Sequence, residues 1–575
     1  LNRAHHLYTP SSAVSNNHER AIWWVVLLAL IAGCGGSGPA LRGRPLAFSH
    51  FDQNIRFGSV AAPSIGEVFT TTDGRWTGNP TFTYQWKRCN TAGEACVNIG
   101  EATMKKYMVV IADEGHRLRS AVTATNGFGV LTATSAATGI VEGGGGFTPT
   151  FEVEPATPAA TIEADAKALK NGQTLCFKEG EYPFLTWSGG EGESNRTEYV
   201  SFRPCAGAEG KVTLTRVEPR KSSFERWEHL KFKGEGLEFI DAIPYKGSHD
   251  YEVYYDEFEG TNGVVAKGPT KEGMMRRVTI EHNYFHNIDL PESGIEAEGT
   301  KCKAGASGQA FTAGELVTGT TFSHNTVNEV EWHYLQYGGG EEGAYVEHNL
   351  FMGIGALPCA HLNVWQETGG ENIYFKHNVV IGKGEGTGVG PYKNGSEYAS
   401  DDALEFENGG GSISCTATLK NIHVEDNLFG PYAGGGSHIW KVEGLTVARN
   451  TMPLMGSAGF GIGLGLKSEN ACRGAGTEMT TEHNLIASSP FGTGEKPTVF
   501  VHWNHNVATD KSSQQWEGVD NQVEWAPKWK NTTWNVFKEV NEEGKHFPDP
   551  PAGYYIPEGV TVEGGAGYEE GTVGP

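Results

Sequence analysis

From about residue 161 onward, short apolar runs alternate with single polar positions, and the runs share one pattern. Thr279–Phe285 (TIEHNYF), Thr321–Val327 (TFSHNTV), Tyr345–Phe351 (YVEHNLF) and Tyr374–Val380 (YFKHNVV) superimpose. His423–Phe429 (HVEDNLF), Thr446–Met452 (TVARNTM), Thr480–Ile486 (TTEHNLI) and, loosely, Trp503–Ala508 (WNHNVA) continue the series. Each is a strand with apolar residues at i and i+2, an asparagine, then one or two more apolar residues. The asparagines are Asn283, Asn325, Asn349, Asn378, Asn427, Asn450, Asn484 and Asn506, at steps of 42, 24, 29, 49, 23, 34 and 22. Several steps share one short value and the others exceed it, as though loops were inserted into a coil of fixed length. Self-similarity of this kind predicts a solenoid. An Asn side chain both accepts and donates, so identical Asn residues on successive coils can bond as a ladder, provided the coils are in register. A parallel β-helix meets that condition. A leucine-rich repeat, the other solenoid considered, would need a Leu spacing that is absent.

The repeat resembles the right-handed parallel β-helix proteins of the pectin-lyase-like class, over residues 161–510. The resemblance implies an all-β fold and an extracellular protein that handles polysaccharide. Solenoid ends need caps. Thr161–Lys170 places Ile162, Ala166 and Leu169 on one helical face before Gly172, which predicts a short amphipathic capping helix. Gly172–Tyr182 (GQTLCFKEGEY) then reads as the first coil. The tail, residues 511–575 with Trp516, Trp525, Trp529 and Trp534, is expected to wrap or cap the far end.

Ahead of the repeat, residues 57–142 show short alternating runs such as Thr81–Lys87, Lys106–Ile111 and Leu118–Thr125, the spacing of a small β-sandwich. Tyr84-Gln85-Trp86, Ala112–His116 and Val122–Gly127 resemble immunoglobulin-like modules of bacterial surface proteins. No cysteines flank Trp86 for an inter-sheet bridge, and Arg117 stands where the corner tyrosine would be. Residues 143–160 read as a linker opened by glycines. Residues 1–40 read as an export signal: Arg3 and Arg20 precede the uncharged, apolar stretch Ala21–Gly33 (AIWWVVLLALIAG), too short for an ordinary span. Ile31-Ala32-Gly33-Cys34 resembles a lipobox, which makes Cys34 a lipidation candidate and membrane tethering through the N-terminus one reading. An ordinary cleaved signal or an uncleaved anchor are the others. An extracellular or cell-surface location follows from each.

Composition adjusts this picture in two places. With 45 basic and 69 acidic side chains the chain carries a formal charge of −24, which excludes nucleic acid as its main partner. Nine cysteines leave eight once Cys34 is set aside, a number suited to disulfides in an oxidising compartment. Pairing sequence neighbours gives 89–96, 176–205, 302–359 and 415–472, one of the about 105 connectivities that eight cysteines allow. None has zinc spacing.

Candidate chemistry falls on one further strand per coil. Glu331/His333, His361/Asn363, Glu405/Glu407 and His438/Trp440 are i,i+2 pairs, each sharing a strand face. Offsets to the next ladder asparagine place His333 and Asn363 near register on adjacent coils. Gln366, Asp401, Asp402, Trp332, Trp365, Tyr392, Tyr334 and Tyr337 lie close by in sequence. A face of carboxylates, His and Asn edged by aromatics suits an extended sugar chain. Hydrolysis would draw an acid and a base or nucleophile from Glu331, Asp401, Asp402 and Glu405. Elimination from a uronate would use His333 or His361 as base, with Ca2+ neutralising the substrate carboxylate. In either case Asn363, Gln366, Trp332, Trp365, Tyr392 and Trp440 would bind substrate. The GHG and RIK segments of polygalacturonases and the Lys/Arg pair of uronate lyases are absent, so a non-catalytic glycan-binding or adhesion protein stays open beside the two reactions. The histidines preceding the asparagines (His282, His324, His348, His377, His483, His505) read as exposed strand residues.

Overall fold

The structure, a computed structural model, describes residues 48–50, 63–141, 149–288, 308–382, 402–406, 419–430, 436–452, 462–463, 479–486, 501–508 and 528–558, with short gaps inside several of these ranges. Two compact units are present, one built from residues 1–61, 69–107 and 117–138, the other from 62–68, 108–116 and 139–575.

In the first unit, Val97–Asn98, Thr81–Cys89, Arg117–Asn126 and Gly129–Thr134 form a four-stranded antiparallel sheet in that order. Trp86 is fully buried and stacks on Tyr107 at 5.4 Å. Cys89 and Cys96 close the hairpin as a disulfide.

In the second unit the strand Phe151–Val153, within the residues read as a linker, precedes the helix Ala159–Ala168, which buries Ile162 and Ala166 as their spacing predicts. The helix's last carbonyls are taken by Arg196, which donates to Ala166 O at 3.1 Å and Leu169 O at 3.2 Å, satisfying groups a helix end leaves orphaned. The chain then coils, and each full coil contributes three strands. The first column is one parallel sheet of thirteen strands from Phe151–Val153 to Val501–Asn504. The other two columns meet in Lys231–Ile240, whose first half pairs with Glu257–Gly260 and second half with Val264–Lys267. From there the second column runs through Tyr284–Ile288, Thr326–Val330, Leu350–Ile354, Val379–Gly382 and Leu428–Phe429. The third runs through Phe311–Ala313, Leu335–Tyr337, Asn363–Glu367, Asp402–Phe406 and Gly436–Trp440. This is the all-β parallel β-helix that the repeat predicts. Its core stacks like residues on like: Phe232, Phe258 and Phe285 lie 4.8 and 4.7 Å apart. Cys176 and Cys205 are bonded as sequence neighbours, while Cys302, Cys359, Cys415 and Cys472 lie outside the described residues.

The asparagines form the expected ladder at the corner between the first and second columns. Nδ2 of Asn283, Asn325, Asn349, Asn378, Asn427 and Asn450 each donates to Oδ1 of the next, at 2.9–3.2 Å. Each Oδ1 also takes a backbone N–H, at 2.8–3.0 Å. Asp256 begins the series, accepting from Leu230 N at 2.7 Å, and burial pushes its carboxyl well above the usual range. The histidines before the asparagines correct an expectation. His282, His324, His348, His377 and His483 are not strand residues but corner residues in the left-handed region, at φ of 55–59°. His is among the few side chains that tolerate it. Half-buried rings of His229, Tyr255, His282, His324, His348 and His377 stack in sequence at 4.7–5.1 Å. His505 lies outside the described residues.

The described part of the tail covers a flank rather than an end. Trp534, Val536, Phe537, Val540, Tyr554 and Tyr555 pack on the outer side chains of the second column: Tyr284, Leu350, Met352, Val379, Ile381 and Leu428. Asn541 Oδ1 accepts from Asn328 Nδ2 at 2.9 Å.

Candidate functional site

The third column carries the candidate chemistry, but on a different frame from the one expected. Leu335, Trp365 and Leu404 are in register and point into the core, so the next residue on each strand points out. The outer row is therefore Val265, Thr312, Gln336, Gln366 and Glu405, each opposite the next, with the backbone of His438 opposite Glu405. It continues backwards through Glu238, opposite Val265, and Glu218, whose neighbour Val217 faces Leu237.

The expected residues distribute as follows. His333 and Asn363 do stand opposite one another, as the strand register sets Leu335 against Trp365. Both are buried, at 2% and 1% exposure, and Asn363 turns its amide toward Glu405. Trp365 is fully buried against Tyr337, Phe375 and Phe406 and cannot stack on a sugar; Tyr334 and Tyr337 are core residues too. Glu331, His361, Glu407 and the side chains of His438 and Trp440 lie outside what the structure describes, and which parity faces outward depends on the core, which pair spacing does not reveal. Gln366 and Glu405 are brought together. Asp402 stands opposite Asn363 and Gly436, with a register shift between it and Glu405. Of His438 and Trp440 only the backbone strand is described. Glu331, Trp332, His361, Tyr392 and Asp401 lie outside the described residues, as does Cys34.

Along the row the polar groups are linked head to tail. Thr312 Oγ1 donates to Gln309 Oε1, and Gln309 Nε2 to Gln336 Oε1. Gln336 Nε2 donates to Gln366 Oε1 at 3.4 Å, and Gln366 Nε2 to Glu405 Oε2 at 3.2 Å. Asn363 Nδ2 reaches the same oxygen at 2.5 Å. Two amides thus hold one carboxylate oxygen of a residue 5% exposed. Gln309, Thr312 and Gln336 went unnoticed in the sequence; strand register is the only signal that groups them.

At the other end of the row the carboxylates are neutralised. Glu218 and Glu238 bind Arg216 Nη2 at 2.8 and 3.0 Å, Glu218 also binds Arg220, and Lys267 lies 4.0 Å from Glu238. Beneath the row, Glu367 is fully buried and accepts from Thr368 N at 3.1 Å and Gly369 N at 3.3 Å. Burial pushes its carboxyl well above the usual range, against the two backbone N–H bonds it accepts.

A calcium ion needs six to eight oxygens. Around Glu405 the described side chains offer one carboxylate and two amides, which does not make that shell, so no step is routed through calcium. Among the described residues one group has metal-ligand geometry, Glu257, Glu259 and His286, and it lies on the second column. Lys231 Nζ already sits 2.7 Å from Glu257 and 3.1 Å from Glu259, and His286 Nε2 lies 2.9 Å from Glu257. The His286 hydrogen bond, then Lys231, holds the Glu257 carboxyl down at about 2.

No family model matches the chain, and no curated protein matches it. Solved structures do. A mannuronic-acid-specific polysaccharide family 6 lyase from human gut microbiota is 12% identical, covering 69% of this chain and 93% of its own at a TM-score of 0.38. A family 6 polysaccharide lyase from Pseudopedobacter saltans is 10% identical, covering 65% and 92% at 0.36. The catalytic unit of a GH87 α-1,3-glucanase from Streptomyces thermodiastaticus is 10% identical, covering 82% and 90% at 0.36. Likenesses at this level carry no argument about chemistry.

Proposed function

We propose that the chain acts on polysaccharide along the outer row of the third column, with Glu405 as the reacting carboxylate. The observation that carries this reading is the in-register series from Thr312 through Gln336 and Gln366 to Glu405. It offers amide donors and acceptors at one strand spacing, about 4.8 Å, close to the repeat of a sugar chain. The amides of Gln366 and Asn363 fix Glu405 for work as base or nucleophile, and the acid partner would come from Asp401 or Asp402. Hydrolysis is favoured over elimination. Elimination from a uronate needs positive charge against the substrate carboxylate, and the described cations of this row, Arg216, Arg220 and Lys267, are each held by Glu218 or Glu238. A chain of net charge −24 also repels polyuronates. Export through residues 1–40 would place the protein where such substrates occur, with Cys34 as tether if it is lipidated.

The test is a polysaccharide panel read for reducing ends and for the ultraviolet absorbance of unsaturated sugar ends, with wild type and Glu405→Gln side by side. New reducing ends without absorbance, lost by at least about 100-fold in the variant, support the reading. Unsaturated ends would move the assignment to a lyase. Glycan retention with no product, unchanged in the variant, would leave a binding protein.

A further inference from the structure

We propose that the outer face of the first column carries a separate binding ledge for a neutral hexopyranose, built on Tyr345. The outward row of that column reads Arg226, Glu252, Thr279, Thr321, Tyr345, Tyr374 and His423, each opposite the next. Tyr345 and Tyr374 stack at 4.9 Å and 5°, and Tyr374 and His423 at 4.9 Å and 13°. Rings stacked this way cover each other's faces except at the ends of the pile. At the Tyr345 end the next residue is Thr321 and the one after it Thr279, both too small to cover a ring. Tyr345 accordingly stays 39% exposed, in a protein that buries most of its large apolar side chains.

The two threonines floor a gap of about 14 Å along the coil axis, the three strand spacings from Glu252 to Tyr345. One wall is the Tyr345 ring. The other is Glu252, held at 2.6 Å by Arg226 on the next strand, whose guanidinium lies over Tyr199 and Tyr254 at 5.2 and 5.8 Å. The parallel outward row supplies Glu281, Ser323 and Glu347 along the edge, in register. Ser323 Oγ donates to Glu281 Oε1 at 2.5 Å. The pile is braced from behind: Lys376 Nζ sits 4.8 Å from the Tyr374 ring centroid and 3.6 Å from Glu425, and His423 Nδ1 lies 2.7 Å from Glu425. A rigid aromatic wall beside hydrogen-bond acceptors fits the apolar face and hydroxyls of a pyranose. Three carboxylates beside two cations already engaged, Arg226 on Glu252 and Lys376 on Glu425, select a neutral sugar over a uronate. The ledge lies on a different column from Glu405, so it stands or falls separately from the reading of that residue.

Affinity electrophoresis of the full chain tests it, in gels containing neutral β-glucan, α-glucan, mannan or a polyuronate. Tyr345→Ala removes the wall, whereas Thr321→Tyr removes nothing and fills the ledge by adding a ring to the pile. Each should weaken retardation in one neutral gel about tenfold, a change of about 1.4 kcal/mol, with the melting temperature of Thr321→Tyr unchanged. Tyr345→Trp should restore it and Glu405→Gln should leave it intact. Retardation equal to wild type in both ledge variants overturns the proposal. So does retardation lost in Glu405→Gln alone, retardation confined to the polyuronate gel, or none for wild type in any gel.

Discussion

The second and third columns are made by the same coils, share the same core and follow the same register, yet their outer faces are opposites. The second shows Leu350, Met352, Val379, Ile381 and Leu428, and the tail folds over them with Trp534, Phe537 and Tyr554. The third shows Thr312, Gln336, Gln366 and Glu405, bonded to one another along the axis. A strand's inner face is dictated by the core and therefore repeats; its outer face is free to differ. What stands outside decides whether a column becomes an internal wall or a working surface. Apolar side chains at strand spacing recruit a cover, because leaving them in water costs about 25 cal/mol per Å2. Polar side chains at the same spacing satisfy one another without a cover, leaving Thr312, Gln336 and Gln366 half-buried and Glu405 buried among its partners.

The largest test attacks what the two columns share. Asn378→Ala deletes the Nδ2 bonds to Asn427 Oδ1 and Val346 O and strands the N–H of Asn349. Each buried group left unpaired costs about 1–3 kcal/mol, so a loss of about 4 kcal/mol is expected in chemical denaturation, felt by both columns together. A loss below about 1 kcal/mol would mean that the ladder decorates the corner rather than holding it.

Next comes a change that separates the columns. Trp534→Ala should cost the tail about 3–5 kcal/mol of docking. Limited proteolysis should then cut within residues 528–558, while the third column and any turnover at Glu405 stay as in wild type. Cleavage spread evenly through the coils would contradict the division into cover and surface.

A milder perturbation is pH. His546 stacks on Tyr284 at 4.1 Å, and burial holds its imidazole below the ordinary value. A base with a lowered folded pKa contributes stability that is complete above its unfolded pKa and fades as pH falls below about 6.5. Hydrogen exchange in the tail should therefore quicken between neutral pH and pH about 5, and His546→Gln should flatten that dependence. The same acceleration in the variant would assign it to other groups.

The smallest effect concerns Glu367. Its raised carboxyl gives the opposite sign: stability is full below the unfolded carboxylate value, about 4.3, and declines as pH rises toward the folded one. Glu367→Gln keeps the shape without the proton. It should match wild type in acid and melt slightly higher above neutral pH; a variant destabilised at every pH would show that the charged form is the one in place.

Much of the fold was legible because its causes are local and repeated. The asparagine spacing implied a ladder, and the pattern Ile162, Ala166, Leu169 implied the capping helix, since burial periodicity is written into adjacent residues. The site was legible only in part. Glu405 and Gln366 were visible as polar residues near one another but not as neighbours in one row, and His333 and Trp365 were placed outside when they are buried. An i,i+2 pair says that two side chains agree in direction, not which direction that is. The histidines before the ladder misled for a related reason: the alternation of a strand was extended one residue into a corner where the backbone has turned left-handed.

By itself, then, the sequence determined that this chain coils, where its ladder runs and how its first coil is capped, because each depends on contacts between a residue and its equivalent one turn away. Only the tertiary structure decided which strand face meets the core, that Thr312, Gln336, Gln366 and Glu405 form one row, and that the tail lies along the second column. Those relations join residues separated by loops of unequal length. Their partners are chosen by packing in three dimensions, which no spacing along the chain encodes.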